Sequence, residues 1–209
     1  IEFIQNKALE LSLFLSLPAT IALLIASEEI TSSLFGYGSF DLMSVKNSAN
    51  ALFYFALGLP AFSFIKIFST FLFARHNTKV PFFFSVISVI INIVISVYYF
   101  NKIGFIIIPI STTISSWFNV IILLIYLTNK KYYFINLMFV KSSLKIILST
   151  ILTSYIFYYL INYFSHNLSY DSDYKLLTII LMVIITFVIY ILISILTKAF
   201  KISDIKLKY

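Results

Sequence analysis

Six strongly apolar stretches, each about 17 to 27 residues long, fill almost all of this 209-residue chain. A helix rising 1.5 Å per residue needs about 20 such residues to cross a hydrocarbon core of about 30 Å. Hydrophobic residues make up 61% of the chain and charged ones 11%, which leaves too little polar surface to solvate an ordinary water-soluble domain. Lipid offers the backbone no hydrogen-bond partners, so spanning segments are either helices or closed barrels. The stretches lack the alternation of apolar and polar residues that ten-residue barrel strands carry. The expected fold is therefore an all-α polytopic membrane protein with six transmembrane helices, at about 11–27, 48–73, 80–101, 104–128, 143–164 and 176–197.

Lysine and arginine resist translocation, so their distribution sets orientation. Lys7 precedes the first span, Arg75 and Lys79 lie between the second and third, and Lys130, Lys131, Lys141 and Lys145 follow the fourth. Lys198, Lys201, Lys206 and Lys208 follow the sixth. The intervening connections hold only Lys46, Lys102 and Lys175, together with Glu28, Glu29, Asp41, Asp171 and Asp173. Both ends are expected to be cytoplasmic. Topology thus accounts for most of the net charge of +7, and no basic surface remains that would serve nucleic-acid binding.

The stretch 131–145 mixes Lys with Tyr132, Tyr133, Phe134, Met138 and Phe139, as suits a segment lying in the membrane interface. It divides the chain into four spans over 1–130, an interfacial connector over 131–145, and a two-helix hairpin with a basic tail over 146–209. The chain opens at Ile1, with Glu2, Lys7 and Glu10 ahead of the first apolar run. That start has neither the basic leader nor the small-residue cleavage site of a signal peptide. It reads as a fragment of a longer protein.

Catalytic chemistry has no visible residues. Cysteine is absent, and His76 and His166 are far apart in connections. No nucleophile and base pair, metal cluster or glycine-rich phosphate loop appears, so the expectation is a non-enzyme without cofactor or metal. Lys66 is the only ionisable residue well inside a span, nine residues before Arg75 and so about 14 Å deeper along a helix. It either faces an aqueous cavity and an anionic substrate or snorkels along its own stem to the interface. Asn92 and Ser96 lie four apart on the third span, and Thr112, Thr113, Ser115, Ser116 and Asn119 cluster on the fourth. They form a polar seam that either glues helices together or offers oxygens to a cation, with no carboxylate among them. Pro18, Pro60 and Pro109 fall within spans, and a kink is expected at Pro109, near Thr112.

Gly58 to Pro81 reads GLPAFSFIKIFSTFLFARHNTKVP, followed by SVISVIINIVISV. This resembles the MurJ (MviN) family of lipid II flippases, in which a Leu-Pro is followed by a basic residue and then by an aromatic-Ala-Arg loop ending in Thr-Lys or Thr-Arg, one residue and Pro. Lys66, Phe73, Ala74, Arg75, Thr78, Lys79 and Pro81 fit that pattern. LSLPATIALLIASEEITSSLFGYGSF, from Leu15 to Phe40, and the run Ser115-Ser116-Trp117-Phe118-Asn119 agree with it too. The resemblance covers about residues 8–130.

The resemblance implies the last six of fourteen spans of a transporter in the multidrug/oligosaccharidyl-lipid/polysaccharide exporter superfamily, in the bacterial cytoplasmic (inner) membrane. Such a protein moves lipid II, or a similar polyprenyl-diphosphate lipid, from the inner to the outer leaflet by alternating access. Its implied partners are that lipid, the surrounding membrane lipids and the missing N-terminal lobe. Lys66 and Arg75 become substrate-cavity candidates, and Asn92, Ser96 and Thr112 match positions that hold a cation in some members. Ser96 stands where those members carry an acidic residue, which removes the charge a sodium ion would meet. The hairpin 143–164 and 176–197 resembles the pair lining a groove for the polyprenyl tail. A flippase for another lipid-linked glycan, a non-transporting membrane scaffold and a gene remnant are the alternatives.

Overall fold

The computed structural model describes residues 2–199. Among the described residues the secondary structure is helical: α1 (Glu2–Ile25), α2 (Ser27–Phe35), α3 (Leu42–Ala56), α4 (Leu59–Phe73), α5 (Lys79–Ile103), a 3₁₀ turn (Gly104–Ile106), α6 (Ile107–Asn129), α7 (Leu137–Tyr163) and α8 (Lys175–Leu196). Lys201, Lys206 and Lys208, used in the orientation argument, and the rest of the basic tail lie outside the described residues.

Three local features differ from the sequence expectation. The connection after the first span contains a helix of its own, α2, with Glu28 and Glu29 in its first turn, where unpaired N–H groups favour negative charge. It ends at Gly36 (φ −71°, ψ 59°) in an inverse γ-turn, the N–H of Tyr37 donating to the carbonyl of Phe35 at 2.7 Å. The stretch 48–73 is not one helix but two, α3 and α4, bent by 42°. The break falls at Leu57 and Gly58, and Pro60 sits in the first turn of α4, where a missing N–H leaves no bond unmade. Pro109 does not kink a helix either. It is the third residue of α6, again a position whose N–H has no intrahelical partner.

Among the described residues, four stretches are long and apolar enough to cross a membrane: Phe3–Ile25, Lys79–Asn129, Leu137–Tyr163 and Lys175–Leu196. The bent pair α3 and α4 brings the number to five. Lys79–Asn129 has 51 residues, about 77 Å as a straight helix, which no bilayer matches. The chain turns back instead at Gly104, whose φ of 75° suits a residue without Cβ. α5 and α6 then run antiparallel, as shown by the pairing of Asn92 with Thr112 and of Phe84 with Tyr126 at 5.8 Å between ring centroids.

The chain forms two compact units, each discontinuous in sequence. The first comprises Ile1–Ser16 and Tyr54–Phe139. Its core combines Ala61, Phe68 and Leu72 of α4 with Val120, Leu123 and Leu127 of α6, joined by Leu9 and Tyr133. These positions recur at three, four and seven residues, the spacing of one helix face. The second unit comprises Leu17–Phe53 and Val140–Tyr209. There Phe157 and Ile161 of α7 meet Ile179 and Met182 of α8, with Ala26 and Leu168 closing the cluster. Ser149 and Thr197 share a hydrogen bond of 2.8 Å, which pairs the middle of α7 with the residue after α8; since the later α7 residues Phe157 and Ile161 meet the earlier α8 residues Ile179 and Met182, this hairpin is antiparallel too.

α4, α6 and α8 share an unusual ending. His76, Lys131 and Lys198 have φ of 57°, 58° and 56°, a left-handed conformation usually left to glycine. At each end the next N–H reaches back five residues: Asn77 to Leu72 O at 3.0 Å, Tyr132 to Leu127 O at 2.8 Å and Ala199 to Ser194 O at 2.9 Å. The left-handed residue itself bonds three back, to Phe73, Thr128 and Ile195. Side chains that carry or can acquire positive charge thus sit where the helix dipole is negative, which offsets part of the strain of about 1 kcal/mol or more.

Candidate functional site

The polar seam lies between the arms of the α5–α6 hairpin. Asn92 Nδ2 donates to Thr112 Oγ1 at 2.9 Å. Thr112 Oγ1 in turn donates to the carbonyl of Ile108 at 2.8 Å, so this hydroxyl uses both its functions. Asn92 Oδ1 lies 3.2 Å from both Ser96 Oγ and Ser111 Oγ. The two serine oxygens are 2.6 Å apart, so one hydroxyl donates to the other and the second is left to donate to Asn92 Oδ1. Asn92, Ser96 and Thr112 are therefore brought together, joined by Ser111, which is fully buried. Ser111 was legible only as the residue preceding Thr112. Neighbouring residues seldom face the same partner helix, so spacing gave no reason to include it.

Four oxygens converge here, all neutral, and each hydroxyl hydrogen has an acceptor within reach. In this arrangement the seam fastens α5 to α6. Each interhelical bond of this kind contributes about 0.6 kcal/mol.

One turn further along α6, two side chains serve the break between α3 and α4. Thr113 Oγ1 donates to Tyr54 O at 2.7 Å, and Trp117 Nε1 donates to Leu57 O at 3.0 Å. Both carbonyls lie where the regular ladder is interrupted. A Cβ on Gly58 would stand 2.7 Å from the Phe62 ring and 3.0 Å from Thr113 Oγ1, so a larger residue here would have to displace that ring and crowd the hydroxyl that α6 brings to the break.

The two basic candidates are not brought together. Lys66 is exposed on α4, and its carbonyl accepts from Thr70 Oγ1 at 2.8 Å. Arg75, beyond the end of α4, is half-buried and engaged with its own fold. Its guanidinium donates to Phe71 O at 2.8 Å and Tyr132 O at 3.1 Å and lies 4.7 Å from the Tyr132 ring centroid. Those contacts tie the end of α4 to the segment after α6.

Sequence reasoning missed the most deeply buried cation among the described residues. Lys175, counted as a connection residue, is 2% exposed. Its Nζ donates to Gly36 O at 2.7 Å and Tyr170 O at 2.6 Å, and stands 4.3 Å and 4.7 Å from the ring centroids of Tyr37 and Tyr170. Ser33 Oγ donates to the carbonyl of the same residue at 3.2 Å. Two carbonyls and two aromatic faces replace the water an ammonium gives up on burial. The nearest signal in the sequence was the Gly-Tyr-Gly turn at 36–38, which precedes Lys175 by well over a hundred residues.

The comparisons with known proteins agree with one another. The family model described as lipid II flippase MurJ matches residues 1–179. A probable lipid II flippase MurJ of Rickettsia prowazekii is 38% identical over 117 residues, 56% of this chain and 23% of that protein. Its counterpart in Rhizobium meliloti is 38% identical over 116 residues, 56% of this chain and 22% of that protein. A solved structure, the lipid II flippase MurJ in an inward closed conformation, has the same fold with a TM-score of 0.76 at 24% identity. That match covers 94% of this chain but 39% of the solved one and falls in its C-terminal half. The chain thus spans less than half the length of the proteins it resembles, and it belongs to the lipid II flippase MurJ family.

Proposed function

We propose that this chain is the C-terminal part of a flippase that carries lipid II from the inner to the outer leaflet of the bacterial cytoplasmic membrane by alternating access. The observation that carries this reading is the family match over residues 1–179. The chemistry is translocation rather than catalysis. In this reading the two arms of the α5–α6 hairpin each cross the bilayer, giving six crossings, with both ends of the chain cytoplasmic. Residues 1–130 supply four of the crossings, 131–145 an interfacial connector and 146–209 the terminal hairpin. The missing N-terminal lobe closes the cavity around the substrate, and Lys66 meets the substrate diphosphate from the exposed face of α4, with Arg75 holding the cytoplasmic end of that wall. Asn92, Ser96 and Thr112, with Ser111, offer four oxygens to a cation when the seam opens.

Two experiments test this. The chain has no cysteine, so single cysteines at Ser39, Lys130 and Asn167 can be labelled with an impermeant maleimide in intact cells. Labelling at 39 and 167 but not at 130 is expected, and the reverse pattern would overturn the orientation. The intact parent protein is expected to restore growth to cells depleted of their own flippase, and Lys66→Met in it to lower flipping at least tenfold with normal insertion. Rescue by the parent with undiminished flipping in Lys66→Met would remove Lys66 from the mechanism, and failure of a stably inserted parent to rescue would favour a different lipid-linked glycan or a non-transporting role.

A further inference from the structure

In the unit formed by Leu17–Phe53 and Val140–Tyr209, a cavity of about 200 Å³ lies between α2 and the α7–α8 connection. Its polar lining comes from Glu28, Glu29, Ser32, Ser165, Ser169 and Tyr170. Glu28 and Glu29 precede Ser32 by four and three residues, so all three share one face of α2. Glu29 is half-buried, and burial is the main reason its carboxyl is pushed above the usual 4.5; the neighbouring charge of Glu28 adds to the effect, and a backbone hydrogen bond opposes it.

Ser32 supplies an independent observation. It is 4% exposed, and its Oγ finds no partner among the described residues. A buried hydroxyl without a partner costs about 1–3 kcal/mol, and this one lines a cavity beside two carboxylates. The donors are all oxygen, the set preferred by hard cations. Among the described residues, no three acidic or histidine side chains come together, so the pocket cannot strip an ion of its water. At about 200 Å³ the cavity has room for an ion together with several waters. Magnesium in particular is held through one or two carboxylates while retaining several waters. The ammonium of Lys175, bonded to the carbonyl of the lining residue Tyr170, is already taken by Gly36 O and Tyr170 O.

We propose that this pocket holds one hydrated divalent cation, Mg²⁺ or Ca²⁺, with Glu28 and Glu29 balancing its charge and Ser32 Oγ accepting from or replacing one of its waters. The bound ion bridges α2 to the α7–α8 connection across the cavity. The test is isothermal titration of the full chain, in nanodiscs of neutral phosphatidylcholine, with MgCl₂ and with CaCl₂ at constant ionic strength. One saturable site per chain is expected, weakened at least tenfold in Glu29→Gln and several-fold in Ser32→Ala, and unchanged in Glu10→Gln. Absence of a saturable site, or equal binding in Glu29→Gln, would overturn the proposal. So would displacement of the metal by equimolar ethylammonium, which would make the pocket an amine site. Should Glu29→Gln fail to fold, Ser32→Ala decides: undiminished affinity there would also overturn it.

Discussion

Thr113 Oγ1 donates a 2.7 Å hydrogen bond to the carbonyl of Tyr54, so a side chain from the middle of one helix completes the backbone of another where that helix breaks. Trp117, one turn later, does the same for Leu57. A broken helix at membrane depth is tolerated only when something satisfies the freed groups. Thr113→Val and Trp117→Phe are therefore expected to lower stability by about 1 kcal/mol each, read as a fall in the thermal midpoint by circular dichroism in detergent. Unchanged midpoints would mean that Gly58 and Pro60 alone set the bend.

Removing the Lys175 ammonium takes away the donor that the carbonyls of Gly36 and Tyr170 share. Lys175→Met is expected to cost about 2–4 kcal/mol, whereas Lys66→Met, at an exposed site, should stay within about 0.5 kcal/mol. Thermal midpoints of the two variants, measured side by side, decide this. Equal effects would show that the cage around Lys175 contributes nothing to stability.

Replacing the left-handed residues by glycine should be favourable. His76→Gly and Lys131→Gly remove strain of about 1 kcal/mol each but give up a favourable dipole contact of about 0.3–1 kcal/mol. A small net gain is expected for each variant, read as a higher denaturant midpoint. A lower midpoint in either would show that the dipole contact outweighs the strain there.

Asn92 and Thr112 should show coupling. In a double-mutant cycle of Asn92→Ala and Thr112→Val, an interaction of about 0.6 kcal/mol is expected, with an upper bound near 1.7. A value near zero would mean that the hairpin is held by apolar packing and that the seam is free to serve another purpose.

Glu29 makes stability depend on pH. Its folded-state value lies above the ordinary 4.5, so the folded state holds its proton more tightly than the unfolded one, and this group's contribution improves as pH falls from neutral through the raised value. Without added divalent ion, Glu29→Gln should raise the thermal midpoint at pH 7, and the difference should vanish as the pH approaches 4.5. A constant difference across that range would assign the effect to packing instead.

The sequence was most informative where one helix explains itself. Hydrophobic length located α1 and α5 to α8 but merged α3 and α4 into one stretch, and the four-residue spacing of Asn92 and Ser96 put both on the face that meets α6. It was least informative where partners lie far apart in the chain. Pro60 marked the vicinity of the α3–α4 break, but its position depends on Gly58 yielding room to α6 and on Trp117, about sixty residues on, reaching back. Ser111 joined the seam beside its neighbour Thr112, although adjacent helical residues seldom share a partner. Lys66 stood out as a cation inside an apolar run, while Lys175 did not, because a lysine at the start of a helix looks like any other loop charge.

That last point changes how the charges of this chain are counted. A cation wrapped by carbonyls and aromatic rings is masked from solvent once the fold is complete, yet during insertion it travels bare. In the proposed orientation Lys175 must cross the membrane before Gly36 and Tyr170 can enclose it. The cage is then an enclosure assembled on the far side, and it makes return costly: withdrawing α8 would expose the ammonium to hydrocarbon and the two carbonyls to a missing partner. A residue that opposes the crossing at the outset becomes the latch that keeps the finished hairpin across.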